Sequence, residues 1–262
     1  MAEDGNRWFL THPRPEGVAR LFCFPFAGGS AALFMGWSAV LGDSIEVRAV
    51  ELPGHGSRIG EPPRSDLAAL ADDLAGAIQP LLDRPAFFLG HSLGAVIAFE
   101  VVRRLRHPSI RHLFASACSA PVHLPTPQVR ALSALDGAAF TEGVRGYGGL
   151  PEEILEDEEL RAIFIPLLKA DFTMIQRYAY RRAPPLGIPI TLLHAPDDVH
   201  VPANLLAAWQ DETVHPVLRH RFEGGHFFIV DQPDRVAGLV GNALRRDLAE
   251  PAGSPLQDRD GR

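Results

Sequence analysis

One serine sits in Gly90-His91-Ser92-Leu93-Gly94, after the apolar run Ala86–Leu89 and before a helix-like run that reaches Arg106. A serine hydroxyl is protonated at neutral pH and attacks a carbonyl only when a neighbouring base takes its proton. The chemistry open to it is acyl transfer through an acyl-serine. G-x-S-x-G alone is a modest signal. A nucleophile elbow also needs a strand, a tight turn and a helix, with glycines where the turn crowds its neighbours, and Ser92 has all three. In that arrangement the acid and then the histidine follow the serine along the chain. Of the 11 histidines, His226 in Glu223-Gly224-Gly225-His226 follows the last strand-like run, where a base is required. His215 precedes that run, His220 lies inside it, and His200 comes just after the acid candidates. The loop before it offers Asp197 and Asp198. Asp198 is preferred, and each could instead be a turn or capping carboxylate.

These side chains need elements to carry them. "VARLFCFPF" reads as a buried strand, "AALFMGWSAVL" as a helix, and "IEVRAVEL" as a strand less buried on one face. Ser65 can cap a helix in which Leu67, Leu70, Leu74, Ile78 and Leu81 recur at helical spacing. "AFFLG" suits a central parallel strand. A helix over 92–106 and the strand "HLFASAC" follow. Single helices between strands mean right-handed crossovers and a mostly parallel sheet. No strand-like run occurs between about Pro121 and Gly187, where a helical pattern runs from Leu160 to Tyr180 and Pro166 should kink or divide it. "IPITLLH", "PANLLAAWQDE", "VLRHRFEG" and "DRVAGLVGNALRRDL" then resume strand, helix, strand, helix. The reading is an α/β core, residues 1–120 and 188–248, interrupted by a helical lid, 121–187, with a loose tail over 249–262. The loop "FPFAGGSA" after the first core strand places the N–H of Ala27, or failing that Phe26, opposite that of Leu93 as an oxyanion hole.

Composition narrows the classes. The 262 residues carry a net charge of −7, which argues against nucleic acid as the main partner. No apolar run is long enough to span a bilayer, and the acidic N-terminus does not read as a signal peptide. Cys23 and Cys118 fit two buried thiols in a cytoplasmic protein, and no Cys/His spacing suggests a metal site. His91 reads as structural, pointing away from the nucleophile, and His55 as a loop-ordering residue. Glu152–Glu159 reads as a solvated helix face. Leu160, Ile163, Phe164, Leu167, Phe172, Met174, Ile175 and Tyr178 either line an acyl pocket or pack the lid. Lys169 is the only lysine among 25 basic residues. The arginines reflect composition or dock an anionic partner, with Arg177, Arg181 and Arg182 the candidates.

"FCFPFAGGSA", "ELPGHGSRIGEPP", "LGHSLGAVIAFE", "GGLPEEILEDEELRAIFIPLLKADFTMIQRYAY", "PPLGIPITLLHAPDD" and "FEGGHFFI" occur in that order. Together they resemble the type II thioesterases that accompany polyketide synthases and nonribosomal peptide synthetases, over about residues 18–245. The resemblance implies an α/β-hydrolase fold: a mostly parallel central sheet flanked by helices, with a helical lid insertion. It implies hydrolysis of aberrant or stalled acyl groups from the phosphopantetheine arm of acyl or peptidyl carrier proteins, with no cofactor. The family's nucleophile falls on Ser92 and its base on His226. Its G-x-x-D-x-x-V segment falls on Ala195–Val201 and selects Asp198, with Ala195 in place of the usual glycine. His55 stands where the family often has arginine. The competing readings are a general carboxylesterase or lipase-like hydrolase, a cyclising or transferring thioesterase, and a non-catalytic module that binds carrier proteins. The 17 residues before the first strand favour a free-standing hydrolase over the fused cyclising type.

Overall fold

The structure, a computed structural model, describes residues 7–249. In chain order its regular elements are β1 (Phe9–Thr11), β2 (Ala19–Phe24), α1 (Trp37–Leu41), β3 (Ile45–Val50), α2 (Leu67–Ile78), β4 (Ala86–His91), α3 (Leu93–Leu105), β5 (Ile110–Ser116), α4 (Pro127–Ser133), α5 (Gly137–Tyr147), α6 (Glu152–Glu156), α7 (Glu158–Arg177), β6 (Ile190–His194), β7 (Leu218–Arg221), α8 (Phe228–Asp231) and α9 (Pro233–Ala249). Seven strands form one sheet in the order β1-β3-β2-β4-β5-β6-β7. Every pairing is parallel except β1 with β3. β4, which ends beside Ser92, is wholly buried and central, as its unbroken apolar run requires.

Apolar clusters cover both faces of the sheet. One gathers Phe22, Phe24, Phe88, Phe99 and Trp209; the other gathers Phe34, Trp37, Phe87, Phe114, Phe222 and Phe228. Burying each such ring contributes roughly 1.5–3 kcal/mol. Residues 93–102 of α3 are all buried, so the helix that starts at the elbow is fixed along most of its length.

Several local expectations needed correction. β3 is buried on both faces, because Glu46 is paired with Arg20 (Nε to Oε2, 2.7 Å) and needs no solvent. The N-cap of α2 is Asp66, which accepts the Ala69 N–H, and not Ser65. Residues 31–41 split into a 3₁₀ turn, Ala31–Phe34, and the short α1. The "PANLLAAWQDE" stretch makes only 3₁₀ turns. Trp209 is buried there, its Nε1–H donating to the Cys118 carbonyl (3.0 Å), so a tertiary anchor overrides helical spacing. Pro166 does not divide α7, which runs on past it to Arg177. Of the expected tail, Ala249 closes α9 and residues 250–262 lie outside the described residues.

Between β5 and β6 lie α4 to α7, and residues of α5 and α7 share a cavity with Ser92. Asp157 caps α7 by accepting the Leu160 N–H (2.9 Å). On α7, Leu167, Leu168, Asp171, Phe172, Met174 and Ile175 turn inward at helical spacing. A carboxylate inside that apolar face is unusual and needs a partner.

Candidate active site

Ser92 occupies the turn between β4 and α3 with φ 54° and ψ −117°, a strained conformation for a residue with a side chain. The two flanking glycines are steric necessities. A Cβ on Gly90 would run into the Gly94 backbone, and one on Gly94 into the carbonyls of Phe24 and Pro25. The hydroxyl therefore stands at the strand's C-terminal end against the first turn of α3.

His226 reaches it from the loop after β7. Its Nε2 lies 3.0 Å from Ser92 Oγ and its Nδ1 lies 2.7 Å from Asp198 Oδ2. Nδ1–H donates to the carboxylate, which leaves Nε2 free to accept the serine proton. The other oxygen of Asp198, Oδ1, accepts the N–H groups of His200 (2.8 Å) and Val201 (3.2 Å). Asp198 and His226 are buried, while Asp197 is exposed. The structure thus brings together Ser92, Asp198 and His226, and leaves Asp197 out.

The Leu93 N–H opens α3 and has no intrahelical carbonyl to meet. The 26–29 loop comes alongside, closed by Gly29 N–H donating to the Phe26 carbonyl (2.9 Å). Ala27, Ser92, His226 and Phe26 line one small cavity with Tyr147, Gly149, Leu168, Phe172, Ile175 and Phe227. A second lies on the other side of Ser92, against Leu93, Val96, Leu124, Val129 and His200. Their volumes are about 20 and 30 Å³. From the insertion, Phe172 and Ile175 reach these cavities, joined by Leu168, whereas Leu160 and Ile163 are exposed. Tyr178 turns away and donates to Glu100 Oε1 (2.7 Å). Arg177 and Arg181 line a different groove of about 510 Å³ beside the end of α3.

The neighbours of His226 include a histidine read from the sequence as structural and an aromatic contact the sequence did not indicate. His91 is fully buried; its Nε2–H donates to the His226 carbonyl (2.8 Å) and its Nδ1 accepts from Ser116 Oγ (2.9 Å). Burial, and then the nearby His226, push its pKa well down, so it is a neutral ring that pins the His226 backbone. His200 stacks on Tyr147 at 3.8 Å, and both rings meet His226 edge-on. Tyr147, at the end of α5, brings the helical insertion into contact with the imidazole. Gly149 follows with φ +90° and lies so close to the Phe227 ring that a Cβ would not fit. No cluster of three or more His, Cys, Asp or Glu among the described residues could hold a metal ion, and none of their helices is long and apolar enough to cross a membrane.

Comparison with known proteins identifies the family. Residues 19–244 match the thioesterase domain family. The chain is 35% identical to the gramicidin S biosynthesis protein GrsT of Aneurinibacillus migulanus, over 93% of this chain and 96% of that one. Among solved structures it is similar to RedJ, a thioesterase from the prodiginine pathway of Streptomyces coelicolor. RedJ has a TM-score of 0.78 and 34% identity, over 88% of this chain and 94% of RedJ. YbtT, a type II thioesterase from the yersiniabactin NRPS/PKS pathway, gives a TM-score of 0.80 at 30% identity, over 92% and 99% of the two chains. An α/β-hydrolase sheet with a strained serine at its C-terminal edge, matched to that family from its first core strand to its last helix, leaves one assignment: this chain belongs to the thioesterase domain family.

Proposed function

We propose that this protein hydrolyses acyl thioesters carried on the phosphopantetheine arm of acyl or peptidyl carrier proteins, clearing stalled or aberrant chains from a polyketide or nonribosomal peptide assembly line. The observation that carries the reading is the hydrogen-bonded chain from Asp198 through His226 to Ser92 under a helical lid. The similarity to GrsT, RedJ and YbtT supports the substrate class.

In the acylation step His226 Nε2 takes the Ser92 proton as Oγ bonds to the thioester carbonyl carbon. Asp198 holds the imidazole in the required tautomer and stabilises its charged form. The N–H groups of Leu93 and Ala27 receive the negative charge on the carbonyl oxygen. The C–S bond then breaks, and the leaving thiol takes the proton from His226. In the second half a water loses a proton to Nε2 and attacks the acyl-serine. Collapse returns the proton to Ser92 and releases the carboxylic acid. The small cavities beside Ser92, lined by α5 and α7 residues, are where the acyl group would enter.

The test is hydrolysis of a panel of acyl-carrier proteins and acyl-pantetheine thioesters against simple alkyl esters, with Ser92→Ala as the comparison. Ser92→Ala is expected to remain folded and lose at least about a thousandfold in kcat. A strong preference for alkyl esters would replace this reading with a general carboxylesterase. Carrier-protein binding with no turnover would replace it with a binding module.

A further inference from the structure

Asp171 is a lid residue placed where an apolar side chain would be expected. It lies on the inward face of α7, about 1% exposed, and its Oδ2 accepts two hydrogen bonds. One comes from the Gly28 N–H (2.8 Å), the residue after Ala27 in the oxyanion loop. The other comes from His55 Nε2–H (2.9 Å), in the loop after β3. Leu168, one turn earlier on α7, packs on the same glycine: a Cβ on Gly28 would sit 2.8 Å from Leu168 Cδ2. The lid helix therefore grips the oxyanion loop at one point through a charge and a methyl group.

The protonation of His55 follows from its surroundings. Its Nδ1 faces the Pro53 carbonyl at 3.1 Å, an oxygen that can only accept. Its Nε2 faces a carboxylate. Both nitrogens must therefore donate, and the ring is an imidazolium. The charge also answers a need of Asp171, whose Oδ1 is buried with no hydrogen-bond donor among the described residues. A buried carboxylate in that state is tolerable only beside a cation. The other charged groups near the ring are few. Glu51, at the end of β3, accepts from Ala31 N–H (3.2 Å) and Ser57 N–H (3.4 Å). Arg58 donates to the Glu51 backbone carbonyl and pairs with Glu61, so it does not neutralise the Glu51 side chain. Burial draws the His55 pKa down, but Asp171, the Pro53 carbonyl and Glu51 outweigh it and hold it above the ordinary value.

We propose that Asp171 is a positioning residue for the oxyanion loop, and that the second proton on His55 locks that loop to the lid helix. With His55 charged, Asp171 holds the N–H of the Ala27–Gly28 peptide and so restrains the adjoining Phe26–Ala27 peptide, which carries the Ala27 N–H. When His55 loses its proton, one nitrogen must face an acceptor unpaired, the carboxylate loses its counter-charge, and the loop and α7 come apart. This inference rests on the thioesterase reading and on Ala27 as an oxyanion donor. It adds a proton-dependent coupling between the lid and the hole.

Two measurements on the full chain test it. The first is the pH profile of kcat and KM for an acyl-N-acetylcysteamine thioester, for wild type and Asp171→Asn, with Ser92→Ala as the inactive control. The asparagine keeps an oxygen for the Gly28 N–H and removes the charge. We expect kcat at neutral pH to fall about tenfold, short of the loss of a whole oxyanion donor. KM should change less than about twofold, and the alkaline limb of kcat should move to lower pH. A kcat loss uniform across pH, tracking a lowered melting temperature, would mean a merely structural role and overturn the proposal, as would a wild-type profile. The second measurement is the ¹³Cε1 NMR titration of His55 in the wild-type protein, assigned with His55→Gln. His55 is expected to be charged at pH 7 and to titrate together with the alkaline limb; a neutral ring at pH 7 overturns the lock. The titration needs neither turnover nor a folded Asp171 variant. If wild type fails to hydrolyse thioesters, the functional reading falls while the titration still decides the contact.

Discussion

Two buried aspartate–histidine pairs lie among the described residues, one at Ser92 and one at the loop that carries Gly28. His226 meets Asp198 at 2.7 Å and His55 meets Asp171 at 2.9 Å. In both, a ring nitrogen donates to a carboxylate. They differ at the far nitrogen. His226 Nε2 faces a hydroxyl, which can give up a proton. His55 Nδ1 faces a carbonyl oxygen, which cannot. The first ring therefore keeps a lone pair available and can act as a base; the second carries two protons and can act only as a cation. A carboxylate beside an imidazole does not make a catalytic base. The atom on the opposite side decides.

The widest separation between the two pairs should appear when each aspartate is made neutral. Asp198→Asn removes the group that selects the His226 tautomer, and kcat is expected to fall by about 10⁴-fold. Asp171→Asn removes only a charge that positions a loop, with the far smaller loss given above. Steady-state kinetics of the two variants at one pH decide the matter. Equal losses would mean that both pairs serve the chemistry directly and would collapse the distinction.

A smaller effect should follow from disturbing the loop that the second pair holds. Gly28 has φ +78°, a region that costs a residue with a side chain about 1–2 kcal/mol, and an added Cβ would press on Leu168. Gly28→Ala is expected to destabilise the fold by about that amount, with a lower kcat and little change in KM. Urea denaturation and kinetics check this. Adding Leu168→Ala should recover part of both losses, since the two residues touch and their effects are not additive. No recovery would mean that the strain lies in the backbone alone and that α7 does not bear on the loop.

The first pair was legible in the sequence and the second was not, for a physical reason. Ser92, Asp198 and His226 each follow a strand in a fixed topological order, so locating the strands locates them. The glycines at 90 and 94 mark the elbow because the turn excludes a Cβ. The preference for Asp198 over Asp197 was strengthened by the family spacing, because either carboxylate can cap a turn. Asp171 lies in the middle of a helix, where nothing local distinguishes a buried acid from a solvated one. His55 was readable as a loop-ordering residue, but its partner is 116 residues away. The continuity of α7 through Pro166 and the 3₁₀ turns around Trp209 were hidden for the same reason: tertiary packing outweighed local preference.

The remaining histidines supply the control, a buried ring with no carboxylate. His112 on β5 stacks on Phe114 at 4.3 Å and pairs through Nε2 with Thr191 Oγ1 at 2.8 Å. Burial, helped by the nearby His215 and His220, lowers its pKa to about 3. In the unfolded chain it takes a proton as the pH falls below about 6.5, and the folded protein does not follow until about 3. The unfolded state therefore binds more protons across that interval, and stability declines as the pH falls through it, by up to about 1.4 kcal/mol per pH unit for one full proton. His55 has the opposite sign. Its raised pKa gives a stabilisation that is complete below about 6.5 and is lost as the pH rises through the folded value. Urea midpoints of wild type, His112→Asn and His55→Gln, followed from pH 4 to pH 9, separate the two. His112→Asn should flatten the curve on the acid side only, and His55→Gln on the alkaline side only. A His112→Asn curve as steep as wild type below pH 6.5 would show that burial without a carboxylate does not keep this ring neutral. The contrast between the aspartate-paired rings would then have lost its reference.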